Sequence, residues 1–387
     1  MTLSEVVLSG ASVAAEGAPG FRVDYCIVND AVSHSSVDYM SKAQVFNNKH
    51  VAVVLDHDTP SGSVEVSAIQ RKLINFAKQH DTLFYNGEGI GYQLLLDNHV
   101  KAGQVVVGCG NHMAVFGAVG AVGLQVSPET LAKVMQTGTV EFTIPDVVNI
   151  KLSGKLQAGV LAKDVVLTVL RTWRADKLSG KIIEFSGDAF RLLSMNDRIT
   201  LCNLTTRTGA ATAIVNPDET NAIGYSAYYQ LDLGTVSVCV AKPDNFEDIV
   251  DVEQLQTISV KEVFIGGCSA GRIEDLRIAA GIIRGKKTAR GVRMMIAPAT
   301  SGVYVQALRE GLITDFINAG AIVMNQGCSV CWGKSQGIID TNEVLVSAGS
   351  YHCKGCAGAD TAKVYLASAA TAATSAVTGV ITAPKIG

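Results

Sequence analysis

Five of the nine cysteines in this 387-residue chain gather in its last third. Cys268 comes first, then Cys328-x-x-Cys331 and Cys353-x-x-Cys356, with 21 residues between the two pairs. Thiolates grouped in this way are suited to metal. The pairs nearly fit the spacing of a four-thiolate zinc site. An iron–sulfur cluster also takes thiolates, and one held by three cysteines leaves an iron open as a Lewis acid. Cys268 bears on the choice, because a zinc ribbon has no use for it. Cys26, Cys109, Cys202 and Cys239 stand singly among apolar neighbours and read as buried, unreactive thiols.

A second chemical signal is Asp56-His57, directly after the apolar run Val51 to Leu55. An aspartate beside a histidine suits an acid tuned near neutrality; the bland alternative is a solvated turn. His112 closes a third strand-end segment, Gly108-Cys-Gly-Asn-His112. Two glycine-rich stretches carry less. Gly327 to Gly333, followed by Lys334-Ser335, has five residues between its glycines where a phosphate loop has four, and Gly87, Gly89 and Gly91 lack the dinucleotide register.

The elements that must position these groups look α/β. Val51–Leu55, Leu83–Tyr85 and Val105–Val107 read as short buried strands, each ending in polar or glycine-rich residues, and open α/β sheets bind ligands at such carboxyl ends. Helical spacing covers residues 67–80, 162–171 and 274–284, strands are expected at Val147–Leu152 and Val263–Gly266, and the stretch near 216–255 reads as looser and more polar. Lys and Arg number 32 against 35 acidic residues, a balance that excludes a nucleic-acid binder working by bulk charge. Two uncharged stretches, 102–128 and 364–384, are too rich in glycine and amides, or too weakly apolar, to span a membrane. The N-terminus has Glu5 and no basic n-region, so a cytoplasmic protein is expected.

The loop Phe264-Ile-Gly-Gly-Cys-Ser-Ala-Gly-Arg-Ile-Glu-Asp-Leu276 resembles the FIGSCTNGRIEDLR signature of the aconitase superfamily, and Gly327-Cys-Ser-Val-Cys-Trp-Gly333 resembles its GCGxCxG. Ordered matches run along the chain. Met1-Thr-Leu-Ser-Glu5 is similar to the start of isopropylmalate dehydratase and homoaconitase large subunits. Asp56-His57 with Pro60 is similar to DHxxP, Gly89 to Gln93 to GIxHQ, Lys163-Asp164 to AKD, Glu184 to Gly187 to EFxG, and Arg198 to Asn203 to RxTxxN. The resemblance implies a three-domain α/β/α large subunit lacking the swivel domain, divided at 1–150, 151–230 and 231–387. It implies a [4Fe–4S] cluster on Cys268, Cys328 and Cys331, and a hydro-lyase or isomerase that adds or removes water on a hydroxy acid. Asp56, His57 and His112 would be catalytic. Gln93, Asn111, Asn203, Arg207, Ser350, Tyr351 and Cys356 fall at substrate-contact positions. The base serine would sit on a small swivel-domain subunit.

Departures from the family pattern point to an altered substrate. Gly110 replaces the aspartate of GxDSHT, Tyr92 replaces the histidine of GIxHQ, and Arg207 replaces a glutamate. In the segment 349–358, Cys356 and Tyr351 stand where the family has two arginines, and neither reproduces the bidentate grip of a guanidinium on a carboxylate. Lys354, Arg207 and Arg272 are then the candidate cations for an acid. Cys353 or Cys356 has three possible parts: fourth cluster ligand, catalytic thiol or small filler. The alternative function is an aconitase-like protein without hydratase activity that uses its metal or thiol site for binding, sensing or sulfur chemistry.

Overall fold

The computed structural model describes residues 1–14, 19–40, 43–334, 336–350 and 353–385. Its first sheet is wholly parallel, in the order Leu83–Asn86, Val51–Leu55, Tyr25–Asn29, Val105–Gly108, Val122–Gln125. The chain builds outward in one direction from Tyr25–Asn29 and then returns to build the other way. Ligands of open α/β sheets collect at the carboxyl ends beside such a reversal. Asp30, Asp56-His57 and Cys109-Gly110 all lie at those ends. The strand Val51–Leu55 is buried along its whole length, which is why it reads as an unbroken apolar run.

A second parallel sheet runs Thr212–Asn216, Ile182–Ser186, Val147–Ser153, Ala227–Asp232. The last of these lies in the stretch expected to be loose. It is an edge strand whose residues alternate in exposure until Leu231 is buried, so polar residues belong on its outer face. The first and second sheets share one apolar core through Ile27, Val106, Phe116, Ile150 and Phe185.

The third sheet runs Ile249–Asp251, Cys239–Ala241, Lys363–Leu366, Val344–Ser347, Glu262–Gly266, Arg293–Ala297, Ile322–Val323. Its last five strands are parallel. Cys268, Cys328 and Ser350 follow Glu262–Gly266, Ile322–Val323 and Val344–Ser347, so they issue from the carboxyl end of that parallel set. The uncharged C-terminal stretch becomes the helix Ala369–Thr378, capped by Ser368 and packed against the helix Ile273–Ile283. Its alanines are buried, which leaves little room for charge. A small antiparallel sheet of Ser12–Val13, Gly20–Arg22 and Thr139–Glu141 completes the described residues. Among them no helix is long and apolar enough to cross a membrane. The four single cysteines are buried.

Candidate active site

His57 is wired to carboxylates. Its Nδ1 donates to Asp56 Oδ1 at 2.5 Å and lies 3.5 Å from Asp30 Oδ1. The backbone holds both acids in place. The His57 amide donates to Asp30 Oδ1 at 3.1 Å, and the Gly91 amide donates to Asp56 Oδ2 at 2.8 Å. Gln70 Nε2, from the helix Val64–His80, donates to the other Asp30 oxygen at 3.0 Å. Burial opposes a positive imidazole here, yet the neighbouring Cys328 sulfur and the carboxylates of Asp56 and Asp30 outweigh it and hold His57 well above its ordinary range. With Nδ1 committed, Nε2 is the nitrogen left to exchange a proton with a ligand.

The cysteine side is built from donors. Cys268 is buried, with Asn203 Nδ2 donating to its sulfur at 3.1 Å; Ser350 Oγ stands 3.3 Å from that sulfur and donates to Ser269 Oγ at 3.2 Å. The Ser350 amide donates to Cys331 Sγ at 3.3 Å, so one residue bonds both sulfurs. His112 Nδ1 donates to Asn203 Oδ1 at 2.7 Å and stands 3.7 Å from Cys268 Sγ. Burial would raise the Cys268 thiol, but His112, Ser350 and Asn203 overcome it and pull it down to about 6.

The two sides meet through backbone. The Cys328 amide donates to the Asp56 carbonyl at 2.9 Å, and the Trp332 ring stands edge-on to His57 at 5.0 Å between centroids. Lys334 Nζ lies 4.5 Å from the Trp332 ring centre. A 280 Å³ cavity is lined by Asp30, His34, His57, Asp58, Trp332 and Lys334. A 250 Å³ cavity is lined by Cys331, Trp332, Lys334, Cys353, Lys354 and Cys356. Trp332 and Lys334 line both. Gly333 lets the two cysteine loops touch, since a Cβ there would fall 1.6 Å from the Cys356 carbonyl oxygen.

Asp56, His57, His112, Asn203, Ser350 and the three cysteines are thus brought together. Other candidate residues make contacts of their own, and Tyr92 packs its ring 5.8 Å from that of His112. Gln93 donates to Asp97 within the helix Gly91–Asn98. Asn111 accepts from Thr206 Oγ1 through its carbonyl and lines a separate 760 Å³ cavity with Gly110, Ser127 and Gly209. Arg207 lays its guanidinium over Phe246 at 5.2 Å. Tyr351 lies outside the described residues. Arg272 is buried and bonded to Asn196, Thr200 and the Cys268 carbonyl, which makes it a brace for the loop. Tyr92 donates to the Cys109 carbonyl at 2.8 Å.

Three participants escaped sequence reasoning. Asp30 follows a buried parallel strand, the same signal that marked Asp56. Lys334 sat inside a rejected phosphate-loop match. Lys163 is buried at the start of the helix Ala162–Leu178, and its ammonium bonds Ser269 Oγ at 3.2 Å, the Gly349 carbonyl at 2.9 Å and the Ala348 carbonyl. It ties the Cys268 loop to the Ser350 loop. Burial draws it down to about 8. A charged pair, Lys163-Asp164, opening an otherwise apolar helical run was the available sign.

The donor set, thiolates carried on two loops, is of the kind that holds an iron–sulfur cluster. Two sulfurs on one zinc lie within about 4.6 Å, twice the Zn–S bond. Among the described residues no three cysteine sulfurs all lie within 4.8 Å of one another. Cys268 and Cys331 nevertheless share Ser350, and Cys328 shares a turn with Cys331.

The aconitase family (aconitate hydratase) model matches residues 14–229 and 248–379. The chain is 33% identical to the 3-isopropylmalate dehydratase large subunit 1 of Archaeoglobus fulgidus, covering 99% of each. It is 30% identical to the probable methanogen homoaconitase large subunit of Methanothermobacter thermautotrophicus, over 100% of this chain and 98% of that one. The homoaconitase large subunit of Thermus thermophilus is 32% identical, over 99% and 97%. The holo-form crystal structure of Thermococcus kodakaraensis aconitase X shares the fold, with a TM-score of 0.56 at 12% identity over 90% of this chain and 88% of that one. The chain belongs to the aconitase family.

Proposed function

We propose, from that membership and from the site, that this is the large subunit of a hydro-lyase or isomerase that adds or removes water on a hydroxy acid. The observation that carries the reading is the junction of Asp56-His57 with the cysteine loops through the bond from the Cys328 amide to the Asp56 carbonyl. Cys268, Cys328 and Cys331 would hold a [4Fe–4S] cluster, which supplies a Lewis acid for a substrate hydroxyl when bound. The chain's own residues do the rest. Asp56 and Asp30 orient His57 and stabilise its cation, so Nε2 holds a proton for a departing hydroxyl and recovers one from water in the reverse direction. His112 and Asn203 position the Cys268 sulfur. Trp332 shields His57 from water on one side, and Lys334 with Lys354 supplies the positive charge for a substrate carboxylate.

An atypical substrate follows from those lysines. An ammonium is a point charge, where the family's arginines grip a carboxylate with two parallel bonds. A less acidic, bulkier hydroxy acid resting on Trp332 suits this lining. A division at 1–150, 151–230 and 231–387 belongs to the same proposal; the three large sheets draw on strands within 25–125, 147–232 and 239–366, so its bounds fall inside the strands Val147–Ser153 and Ala227–Asp232. A small partner subunit is supported by the relatives' names as large subunits; that it is a swivel domain supplying a base serine, in a cytoplasmic setting, belongs to the same proposal.

The test is anaerobic purification with iron and sulfide analysis, followed by hydration assays over a panel of hydroxy acids with a copurified small subunit. Iron, sulfide and turnover in the wild type, with all three lost in Cys328→Ser, are expected. Turnover and colour retained in Cys328→Ser would overturn the proposal.

A further inference from the structure

Cys353 and Cys356 close a second four-residue turn. The Cys356 amide donates to the Cys353 carbonyl at 3.1 Å, and Gly355 takes the left-handed conformation at φ +70°. Such a turn brings its end Cα atoms within about 7 Å, and a disulfide needs roughly 4.4–6.8 Å. The two thiols differ in access. Cys353 is exposed, while Cys356 is half-buried behind it, and both line the 250 Å³ cavity. Lys354 and Lys334 line the same cavity, and burial together with the neighbouring Cys353 and Cys331 pushes the Cys356 thiol up. The Cys328–Cys331 turn has the same 3.1 Å amide bond, but Cys328 is tied to Asp56 and the Cys331 sulfur to Ser350. Neither Cys353 nor Cys356 is needed by the three-thiolate set.

We propose that Cys353-Lys-Gly-Cys356 is a thiol–disulfide exchange site for low-molecular-weight disulfides of the glutathione type. The Cys353 thiolate attacks one sulfur of the disulfide, whose S–S bond breaks, and the first thiolate leaves with the electron pair. Cys356 gives its proton to solvent and attacks the Cys353 sulfur of the mixed disulfide, expelling the second thiolate. The dithiol loses two electrons and two protons, and the small disulfide becomes two thiols. Oxidation therefore ties up both thiols that share a cavity with Cys331, and reduction by the same class of thiol frees them.

The experiment equilibrates the anaerobically purified protein with graded mixtures of oxidised and reduced glutathione. Samples are quenched in acid, alkylated under denaturing conditions and mapped by peptide mass, with iron and sulfide measured in parallel to judge the cluster assignment separately. Cys353 and Cys356 are expected to pass together from two alkyl labels to none, with loss of two hydrogens and full recovery on reduction. Cys356→Ser should stop at a glutathione adduct on Cys353, and Cys353→Ser should carry no adduct in this turn. Both labels retained in the most oxidising mixture, or a bond from Cys356 to Cys331, would overturn the proposal.

Discussion

The wall around His57 and the wall around Cys268 are built at the same kind of place, the carboxyl ends of parallel strands, from opposite materials. Carboxylates of Asp30 and Asp56 surround the histidine, so a proton is held on nitrogen. The Asn203 amide, the Ser350 hydroxyl and the His112 imidazole surround Cys268, so a proton is driven off sulfur. The contrast teaches that sheet topology supplies a location without its polarity. Beside His57 the deciding residues, Asp30 and Asp56, stand one place beyond their strands, whereas those beside Cys268 come from farther off: Ser350 and His112 from deeper in their loops and Asn203 from the helix Met195–Thr205.

Removing one residue from each wall should separate the two roles. Cys268→Ser is expected to abolish both iron content and activity. His57→Asn should keep the iron and lower kcat by about 10²–10⁴-fold, as loss of a general acid does; loss of iron in His57→Asn would erase the distinction. The brace of the cysteine wall comes next. Lys163→Met leaves the Ser269 hydroxyl and two carbonyls short of a buried donor, at a cost of about 1–3 kcal/mol of stability, read by chemical denaturation. A matching change at Gln70, which serves the His57 wall from a half-buried helix position, should cost less.

Lys334 belongs to both cavities, so its loss tests whether the walls serve one ligand. Lys334→Met is expected to raise KM about tenfold, near 1.4 kcal/mol, with kcat almost unchanged and Lys334→Arg restoring part of the loss. A fall in kcat alone would assign Lys334 to one wall's chemistry. The smallest effect is expected at the far end of the strand that leads to Cys268. Glu262 is buried there, 2.8 Å from Arg293, and burial pushes its carboxyl up to about 7 against that arginine's pull. The folded chain then keeps a proton that the unfolded chain releases above its ordinary 4.5, so stability falls as pH rises from about 4.5 to about 7. Glu262→Gln should flatten this slope by about 1 kcal/mol, discounted for the exposed arginine, as measured by thermal unfolding at several pH values.

What could be read from sequence was what short segments decide. Apolar runs marked Val51–Leu55 and Val263–Gly266 as strands, and the chemistry-bearing residues just beyond them, Asp56-His57 and Cys268, were visible for that reason. Juxtapositions across distant segments were not. Nothing near Lys163 announces that its ammonium will meet carbonyls at 348 and 349, and nothing near Arg272 shows that it will be consumed by Asn196 and Thr200. Lys354 was a candidate cation by its position in a motif, and the fold sets it with Lys334 because Gly333 packs on Cys356. The strand Ala227–Asp232 was missed because a one-sided edge strand carries half its residues as polar.

Strand order in the third sheet also fixes when the cysteine site comes into being during synthesis. Lys363–Leu366 is the last strand made, yet it lies inside the sheet between Cys239–Ala241 and Val344–Ser347. Domains fold as units while the chain emerges, but this one has a gap at its middle until residues 363–366 have left the ribosome. A nascent chain that already displays Cys268, Cys328 and Cys331 but has not yet added Lys363–Leu366 is still only a set of thiols.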